Sequence, residues 1–277
     1  MLLGLAKGKV GDLVFYRDGG EQRTRTRVVP KNPRSAAQMG RRVRLANVPA
    51  FYRTMQAIMK DSFSNRPSNQ SGYNAFAKGA IEVSPFLTKE MALAGSVLPA
   101  PYMVSRGVIS SLPCEINTSA GINLPMLPLS LPTPPPTTIG GWSQAILDNY
   151  PQLQEGDVLT FVAVTFSVEE FSDSLDIHHA SVSSYQLVLD STSSVVLSSS
   201  EISVPNNGFV PIIRSAEDNT ASAIIASRSL SDGSLQTSSA ALVLDATASA
   251  LYDSYRTEQA LSEAIDSYGR GEESILR

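Results

Sequence analysis

A block of short apolar runs between residues 157 and 245 constrains the fold class more than any other feature of the sequence. Six apolar or alternating runs are separated there by serine, by PNNG or by SDGS. The runs are DVLTFVAVTF, VSSYQLVLD, SVVLS, GFVPIIR, ASAIIASR and AALVLD. Several short strands at such spacing are typical of an antiparallel sandwich or barrel. The sequence therefore predicts an Ig-like β-sandwich in this part of the chain.

The regions around this block differ from it in composition. The N-terminal part combines a hairpin pattern with amphipathic helices, and proline then recurs until the run PTPPP at 132–136. Beyond residue 248 the apolar residues return to a helical spacing. We predict an α+β protein in four parts, which are a basic hairpin-plus-helices domain (1–95), a proline-rich connector with short strands (96–141), a β-sandwich domain (142–247) and a C-terminal helical tail (248–277).

Charge is segregated along the chain. Residues 1–60 contain 13 Lys and Arg against three acids, a net charge of +10. The other 217 residues contain 9 basic and 23 acidic side chains, a net charge of −14. Such asymmetry favours contact with nucleic acid or with an acidic surface. The acidic remainder of another copy is one such surface.

The first half of the basic region has strand periodicity. VGDLVFYR and EQRTRTRVV flank DGG at residues 18–20, a pattern that predicts a β-hairpin. Strand side chains alternate between two faces, which places Arg23, Arg25 and Arg27 on one face about 7 Å apart. The β-branched Thr24 and Thr26 face the other way, as suits a half-buried surface.

The second half has helix periodicity. Asn32 and Pro33 suit the start of a helix, and Pro49 is expected to end or kink it. The apolar positions share one face, and the arginines lie opposite or beside it. The predicted binding residues for nucleic acid or an acidic partner are Arg23, Arg25, Arg27, Lys31, Arg34, Arg41, Arg42 and Arg44.

No pattern in the chain points to an enzyme. The string GLAKGKVGD lacks both the spacing and the hydroxyl residue of a phosphate-binding P-loop. His178 and His179 are adjacent, so on a strand they point to opposite faces and do not suit one metal. Cys114 has no histidine near it in the sequence. We therefore predict a protein without catalytic residues, metal or cofactor.

The N-terminal third resembles a domain family of unknown function found in Bacteroidetes and their phages. Members open with a G-K-x-G-x-x-V-x-Y hairpin and an arginine-rich strand, followed by a [KN]-P-x-[ST]-x-x-Q-x-x-x-R helix. The positions that match this outline are Gly8, Lys9, Gly11, Val14, Tyr16, Pro33, Ser35, Gln38 and Arg42. The resemblance implies a phage or bacterial surface setting, and it supplies no catalytic residue.

These observations predict a non-enzymatic structural protein of a phage virion, located in the virion or the host cytoplasm. Its basic N-terminal region would contact a nucleic-acid backbone or an acidic neighbouring subunit, and the rest would contact other copies or other virion proteins. One alternative is a free nucleic-acid-binding protein that acts in replication or packaging, and another is an adhesin-like β-sandwich. No run of 18 apolar residues occurs, so a membrane is not an expected partner.

Overall fold

The computed structural model describes residues 7–18, 21–28, 35–117, 123–172, 175–198, 200–203, 208–213 and 219–269. The chain divides into two compact units with a boundary between Ser35 and Ala36. The N-terminal unit contains a three-stranded antiparallel sheet in the order β1-β2-β3. Its strands are β1 (Gly8–Val10), β2 (Leu13–Asp18) and β3 (Glu21–Thr26).

The larger unit is a mixture of helices and strands. Among its described residues the helices are α1 (Ala36–Thr54), α2 (Gln56–Met59), α3 (Gly72–Val83), α4 (Lys89–Ala94), α5 (Ile139–Asn149), α6 (Ala246–Ser254) and α7 (Glu258–Ser267). The strands are β4 (Met103–Ser105), β5 (Glu115–Asn117), β6 (Leu124–Pro128), β7 (Val158–Ser172), β8 (Leu175–Val188), β9 (Ile202–Ser203), β10 (Gly208–Pro211), β11 (Thr220–Ser229), β12 (Leu235–Thr237), β13 (Ala240–Ala241) and β14 (Val243–Leu244).

All the strand ladders of this unit are antiparallel. The main sheet has the order β12-β11-β7-β8, and β14 pairs with β11 as well. A second sheet has the order β5-β6-β10-β9, and β13 pairs with β4. The mixed helix-and-strand architecture with antiparallel sheets that the sequence predicts is thus confirmed.

The central part of β7 in the main sheet is buried on both faces. Along β7, Leu159, Phe161 and Ala163 belong to one core cluster. The intervening Val162 and Val164 belong to another. Because each face packs on a different layer, neither set of alternating positions is polar. This double burial explains why DVLTFVAVTF is an almost unbroken apolar run.

The first core cluster joins the main sheet to the second sheet and to α5. Its centre is aromatic, with the Phe209 ring 5.1 Å from Trp142 and 5.3 Å from Phe161 between centroids. Tilted and edge-on ring pairs at these distances are favourable beyond their burial. Thr138 caps the N-terminus of α5 by accepting a hydrogen bond from the Gly141 amide at 3.1 Å.

The second core cluster joins the opposite face of the main sheet to helices α1 and α3. Phe51 of α1, Phe76 of α3 and Tyr102 form its aromatic part, and all three are almost fully buried. Asn47 lies beside them, and its side chain makes two hydrogen bonds of 3.0 Å with the backbone of Leu98. It donates to the Leu98 carbonyl and accepts from the Leu98 amide. Residues 48–104 and residues 162–242 therefore contribute to one cluster. The four-part division predicted from the sequence stays a prediction about folding units.

Helix α1 continues through Pro49, so of the two expectations for this proline, an end or a kink, the end of the helix is wrong. A proline cannot donate to the carbonyl four residues earlier, here that of Leu45. Leu45 lies on the exposed side of the helix, with 40% of its surface accessible, where water can satisfy that carbonyl. Met39, Val43 and Asn47 are buried, so the predicted inner face of the helix is confirmed at these positions.

Candidate nucleic-acid interface

The register of the N-terminal sheet places its basic residues on one face. Arg25 pairs with Val14, and Val14 pairs with Lys9 on its other side. Residues directly opposite in an antiparallel sheet share a face. Arg23 pairs with Tyr16 and lies two residues from Arg25, so it shares that face as well. We call this surface, formed by Lys9, Tyr16, Arg23 and Arg25, the basic face.

Arg27 continues the row just beyond the end of β3. Its amide donates a hydrogen bond to the carbonyl of Asp12 at 2.6 Å. Gly11 and Asp12 form the turn between β1 and β2, and Gly11 has a φ of 58°. That left-handed conformation favours glycine. The tight turn places β1 against one edge of β2, and the arginine-bearing β3 pairs with the other edge. Lys9 and Arg25 therefore flank Val14 on the same face.

The basic face is exposed, and its arginines have neighbours within the sheet. The Arg25 guanidinium lies 5.8 Å from the centroid of the Tyr16 ring, within range of a cation–π interaction. An Arg23 nitrogen lies 3.7 Å from a carboxylate oxygen of Glu21, and both side chains are more than half exposed. An exposed pair of this kind contributes little stability, so Glu21 can give way to a stronger anionic partner.

The opposite face of the same sheet combines apolar and polar residues. Val10, Leu13 and Phe15 lie on it together with Thr24 and Thr26, as the pairing register requires. Val10 and Leu13 are 66% and 47% exposed. No residue among Gly8–Val10, residues 13–17 and Glu21–Thr26 is buried. Arg17 is exposed and alternates with Tyr16 along β2, so it lies outside the basic face.

The arginines of α1 form a separate group in the larger unit. Arg41 and Arg42 are exposed, whereas Arg44 is half-buried and lies 3.9 Å from Glu82 of α3. Arg42 acts electrostatically on Tyr268 and partly offsets the rise in pKa that burial causes there. Arg42 and Arg44 therefore have interactions within the larger unit. Lys31 and Arg34 lie outside the described residues.

Lys9 is the binding candidate that sequence reasoning missed. The hairpin prediction started its first strand at Val10, and the preceding residues were considered only as a phosphate-binding loop, which their spacing excluded. The signal was present, because Gly11 and Asp12 separate GKV from LVFYR in a pattern typical of a tight turn. A second hairpin, read at that turn, would have placed Lys9 opposite Val14.

The two histidines have different surroundings, as their positions on a strand predicted. His178 of β8 is buried, and its ring packs edge-on against Tyr255 at 5.8 Å between centroids. His179 is exposed, and its Nε2 lies 3.0 Å from a carboxylate oxygen of Glu169. In the parts of the chain that the structure describes, no group of three or more potential metal ligands occurs.

The single cysteine lies in an apolar environment. Cys114 is partly exposed and packs against the first core cluster. Burial raises the pKa of its thiol to about 12, and the nearby carboxylate of Glu115 adds to the rise. Because the thiolate is the nucleophilic form, this thiol is poorly suited to attack at neutral pH.

Comparison with family models, with curated proteins and with solved structures found no match to the chain. None of the described helices combines the length and the apolar character needed to cross a membrane. The resemblance of the N-terminal third to a phage-associated family therefore stays an expectation based on its residues.

Proposed function

We propose that the protein is a non-enzymatic structural protein of a phage virion whose basic face binds the backbone of nucleic acid. The single observation that carries the proposal is the convergence of Lys9, Arg23 and Arg25 on one exposed face of a small sheet. Cations in a row on a strand match a repeating anion, and backbone phosphates are the most common repeating anion that proteins meet.

The chemistry of the face favours contact with phosphates over reading of bases. Tyr16 is its one aromatic residue among those described, and Arg25 already lies over the ring. A stacking surface for successive bases needs several accessible rings. Guanidinium groups that project from an exposed strand can instead donate charge-assisted hydrogen bonds to phosphate oxygens. We therefore expect binding with little dependence on base sequence.

We extend the proposal to the fold of the larger unit and to the location of the protein. We assign the second sheet and the main sheet to an Ig-like sandwich that contacts other virion proteins. Residues of both sheets in one core cluster support this assignment, and α6 and α7 would form the C-terminal helical tail. The virion or the host cytoplasm is the proposed location, and the resemblance of residues 4–80 to the phage-associated family supports it.

The test compares matched arginine substitutions on the two faces of the hairpin. Arg25→Gln removes one cation from the basic face, and Arg17→Gln removes the same charge from outside it. Binding to fluorescent single- and double-stranded DNA and to RNA is measured by anisotropy over a range of salt concentrations. Arg25→Gln is expected to weaken binding to every sequence and to flatten the log–log salt slope by about 0.7–0.9, the amount for one lost phosphate contact.

The triple variant Arg23→Gln, Arg25→Gln, Arg27→Gln is expected to flatten that slope by about two to three. Arg17→Gln should leave the slope close to that of the wild type. If the wild-type protein binds no nucleic acid at low salt, or if Arg17→Gln weakens binding as much as Arg25→Gln, nucleic-acid binding by this face is disproved.

A second candidate partner is an acidic surface on a neighbouring subunit, and the far end of the β7–β8 hairpin favours it. Glu170 and Asp176 are directly opposite each other there, and both are exposed. Like charges in opposed positions repel, so a cationic partner would stabilise this end of the hairpin. This partner predicts self-association that weakens with salt and with Glu170→Gln, both measurable by analytical ultracentrifugation without nucleic acid.

A further inference from the structure

A small cavity in the larger unit is lined by three cations. Its volume is about 220 Å³, and the charged side chains around it are Arg66, Lys78 and Arg106. Phe63, Ala75 and the amide side chains of Asn65 and Gln70 complete most of the lining. No acidic residue is among the described residues that line it. Such a cavity has room for several water molecules or for a tetrahedral oxyanion.

The loop on one side of the cavity is held by Arg66 itself. Arg66 Nη1 donates to the carbonyl of Phe63 at 2.6 Å, and Nε donates to the carbonyl of Gln70 at 3.2 Å. The guanidinium therefore closes the loop between these two residues. A guanidinium has five N–H donors, so it retains donors that neither carbonyl uses.

Arg106 carries the second cation, and hydrogen bonds hold its backbone in place. The Arg106 amide donates to the Ser62 carbonyl at 2.9 Å, and the Asn65 amide donates to the Arg106 carbonyl at 3.3 Å. The next residue must be glycine, because a Cβ at Gly107 would lie 1.9 Å from the carbonyl oxygen of Thr237. The Arg106 side chain thus leaves a backbone that is held at this position from both sides.

The third cation comes from a well-formed helix. Ser71 caps α3 by accepting a hydrogen bond from the Asn74 amide at 3.2 Å. Ala75 and Lys78 are three residues apart, so they lie on the same side of the helix. The small side chain of Ala75 leaves space beside Lys78, and both line the cavity.

The concentration of positive charge here is unusual for this part of the chain. Residues 61–277 contain only 9 basic side chains against 23 acids, yet three of the nine line one cavity. In the described chain, neither Lys78 nor Arg106 has an ion pair. Asp61 lines a different and larger cavity, which shares Arg66, Pro67 and Gln70 with this one. The three cations repel one another unless an anion is bound.

We infer that this cavity is a binding site for a phosphate group, held by Arg66, Lys78 and Arg106. Arginine suits it because the planar guanidinium matches the geometry of phosphate oxygens, and lysine adds a compact charge. The inference does not depend on the proposed function, because the site contains no residue of the basic face. The phosphate belongs either to a free ion or to a nucleic-acid backbone that also meets the larger unit.

The test titrates inorganic phosphate into the full-length protein at constant ionic strength, with chloride as the compensating anion. Backbone amide shifts are followed by NMR, and the melting temperature is recorded in parallel. We expect saturable shifts at Arg106 and Gly107 and a rise in melting temperature. Lys78→Gln and Arg106→Gln are each expected to weaken phosphate binding about tenfold. Arg66 is left unchanged because it also closes the loop.

Lys89→Gln is the matched control, because Lys89 is an exposed lysine on α4 outside the cavity. It is expected to bind phosphate as the wild type does. A short single-stranded DNA in a parallel titration identifies the source of the phosphate group. Shifts at the cavity with DNA and not with inorganic phosphate assign the site to a backbone, and the reverse assigns it to a free ion.

The inference is wrong if neither ligand shifts these amides, or if Lys78→Gln and Lys89→Gln behave alike. Failure of the proposed function is recognised separately. The triple arginine variant of the basic face would then bind DNA as the wild type does, whatever phosphate does at the cavity.

Discussion

Asp157 and Arg228 form a bidentate ion pair at the start of the main sheet. Arg228 Nε and Nη2 each donate to one carboxylate oxygen at 2.7 Å, and Nη2 also donates to the Gln152 carbonyl at 3.0 Å. The Asp157 side chain is 1% exposed and that of Arg228 is 20% exposed. The carboxylate also accepts a hydrogen bond from the Gln154 amide. The pair therefore connects β11 to the turn that precedes β7.

Asp157→Asn is expected to lower the free energy of unfolding by about 3 kcal/mol, as measured by urea denaturation. Removal of one partner from a buried pair leaves the other charge uncompensated, which costs about 3–5 kcal/mol, and the partial exposure of Arg228 favours the lower end. Glu155→Gln is the control, because this nearby acid is exposed. A loss below about 1 kcal/mol for Asp157→Asn would show that the pair behaves as a surface pair.

His178 lacks a full set of hydrogen-bond partners. Its Nδ1 is buried and without a partner among the described residues, while Tyr255 Oη lies 3.4 Å from Nε2. Burial lowers the pKa of His178, Asp176 acts in the opposite direction, and His179 lowers it further. A protonated ring would place a second N–H donor in a site that offers it no acceptor.

Stability is therefore expected to fall as the pH drops below about 6.5, the ordinary pKa of histidine. The folded protein binds this proton less tightly than the unfolded chain does, so protonation favours unfolding. The contribution is complete above that pH and is lost as the pH falls toward the lowered value. His178→Gln should flatten the stability profile between about pH 5 and 6.5, above the range of most carboxylates. If His179→Gln flattens it equally, burial of His178 is not the cause.

At the scale of elements, the sequence was most informative where one face of an element is solvent. Alternation along β3 gave the arginine row, and the pairing with Tyr16 and Val14 bears out that alternation. Helical periodicity predicted in the same way which side of α1 is buried. Arginine alternates with threonine in β3, and apolar residues recur at helical spacing in α1, so in both elements the period is visible in the sequence.

Short segments with little pairing, and contacts between separate segments, were harder to predict. The run SVVLS was predicted as a strand, but it contributes only an isolated bridge between Thr138 and Val196. The ion pair between Arg44 and Glu82 connects residues of two different helices, α1 and α3. It depends on how α1 packs against α3, so no local pattern could indicate it. The cationic cavity has the same origin, because Arg66, Lys78 and Arg106 come from three separate segments.

At the scale of the whole molecule, every buried residue that the structure describes lies between Met39 and Ala264. The fragment 36–270 is therefore expected to fold alone, with one cooperative transition and a melting temperature within a few degrees of the full chain. Differential scanning calorimetry of both proteins measures this. A fragment that fails to fold would show that residues 1–35 or 271–277 stabilise the larger unit.

Calorimetry of a protein that has been cut in the proline-rich connector tests the four-part division predicted from the sequence. Residues 48–104 and 162–242 share a core cluster, so a cut in the proline-rich connector is expected to leave two fragments that stay associated. Recovery of a separate, folded fragment that starts near residue 142 would support the division. Proline content predicted a connector, but local composition cannot indicate that the segments on either side of it pack together.

The double burial of β7 changes what specifies its alignment with its neighbours. In a strand with one wet face, a shift by one residue exposes the apolar side chains and buries the polar ones, so polarity alone forbids the shift. In β7 the shift would exchange two apolar sets, and Phe161 would enter the layer occupied by Val162. Only the sizes of the side chains distinguish the two alignments. A substitution that keeps β7 apolar but exchanges large and small residues is therefore expected to weaken the alignment of this sheet, although the hydropathy of the strand is unchanged.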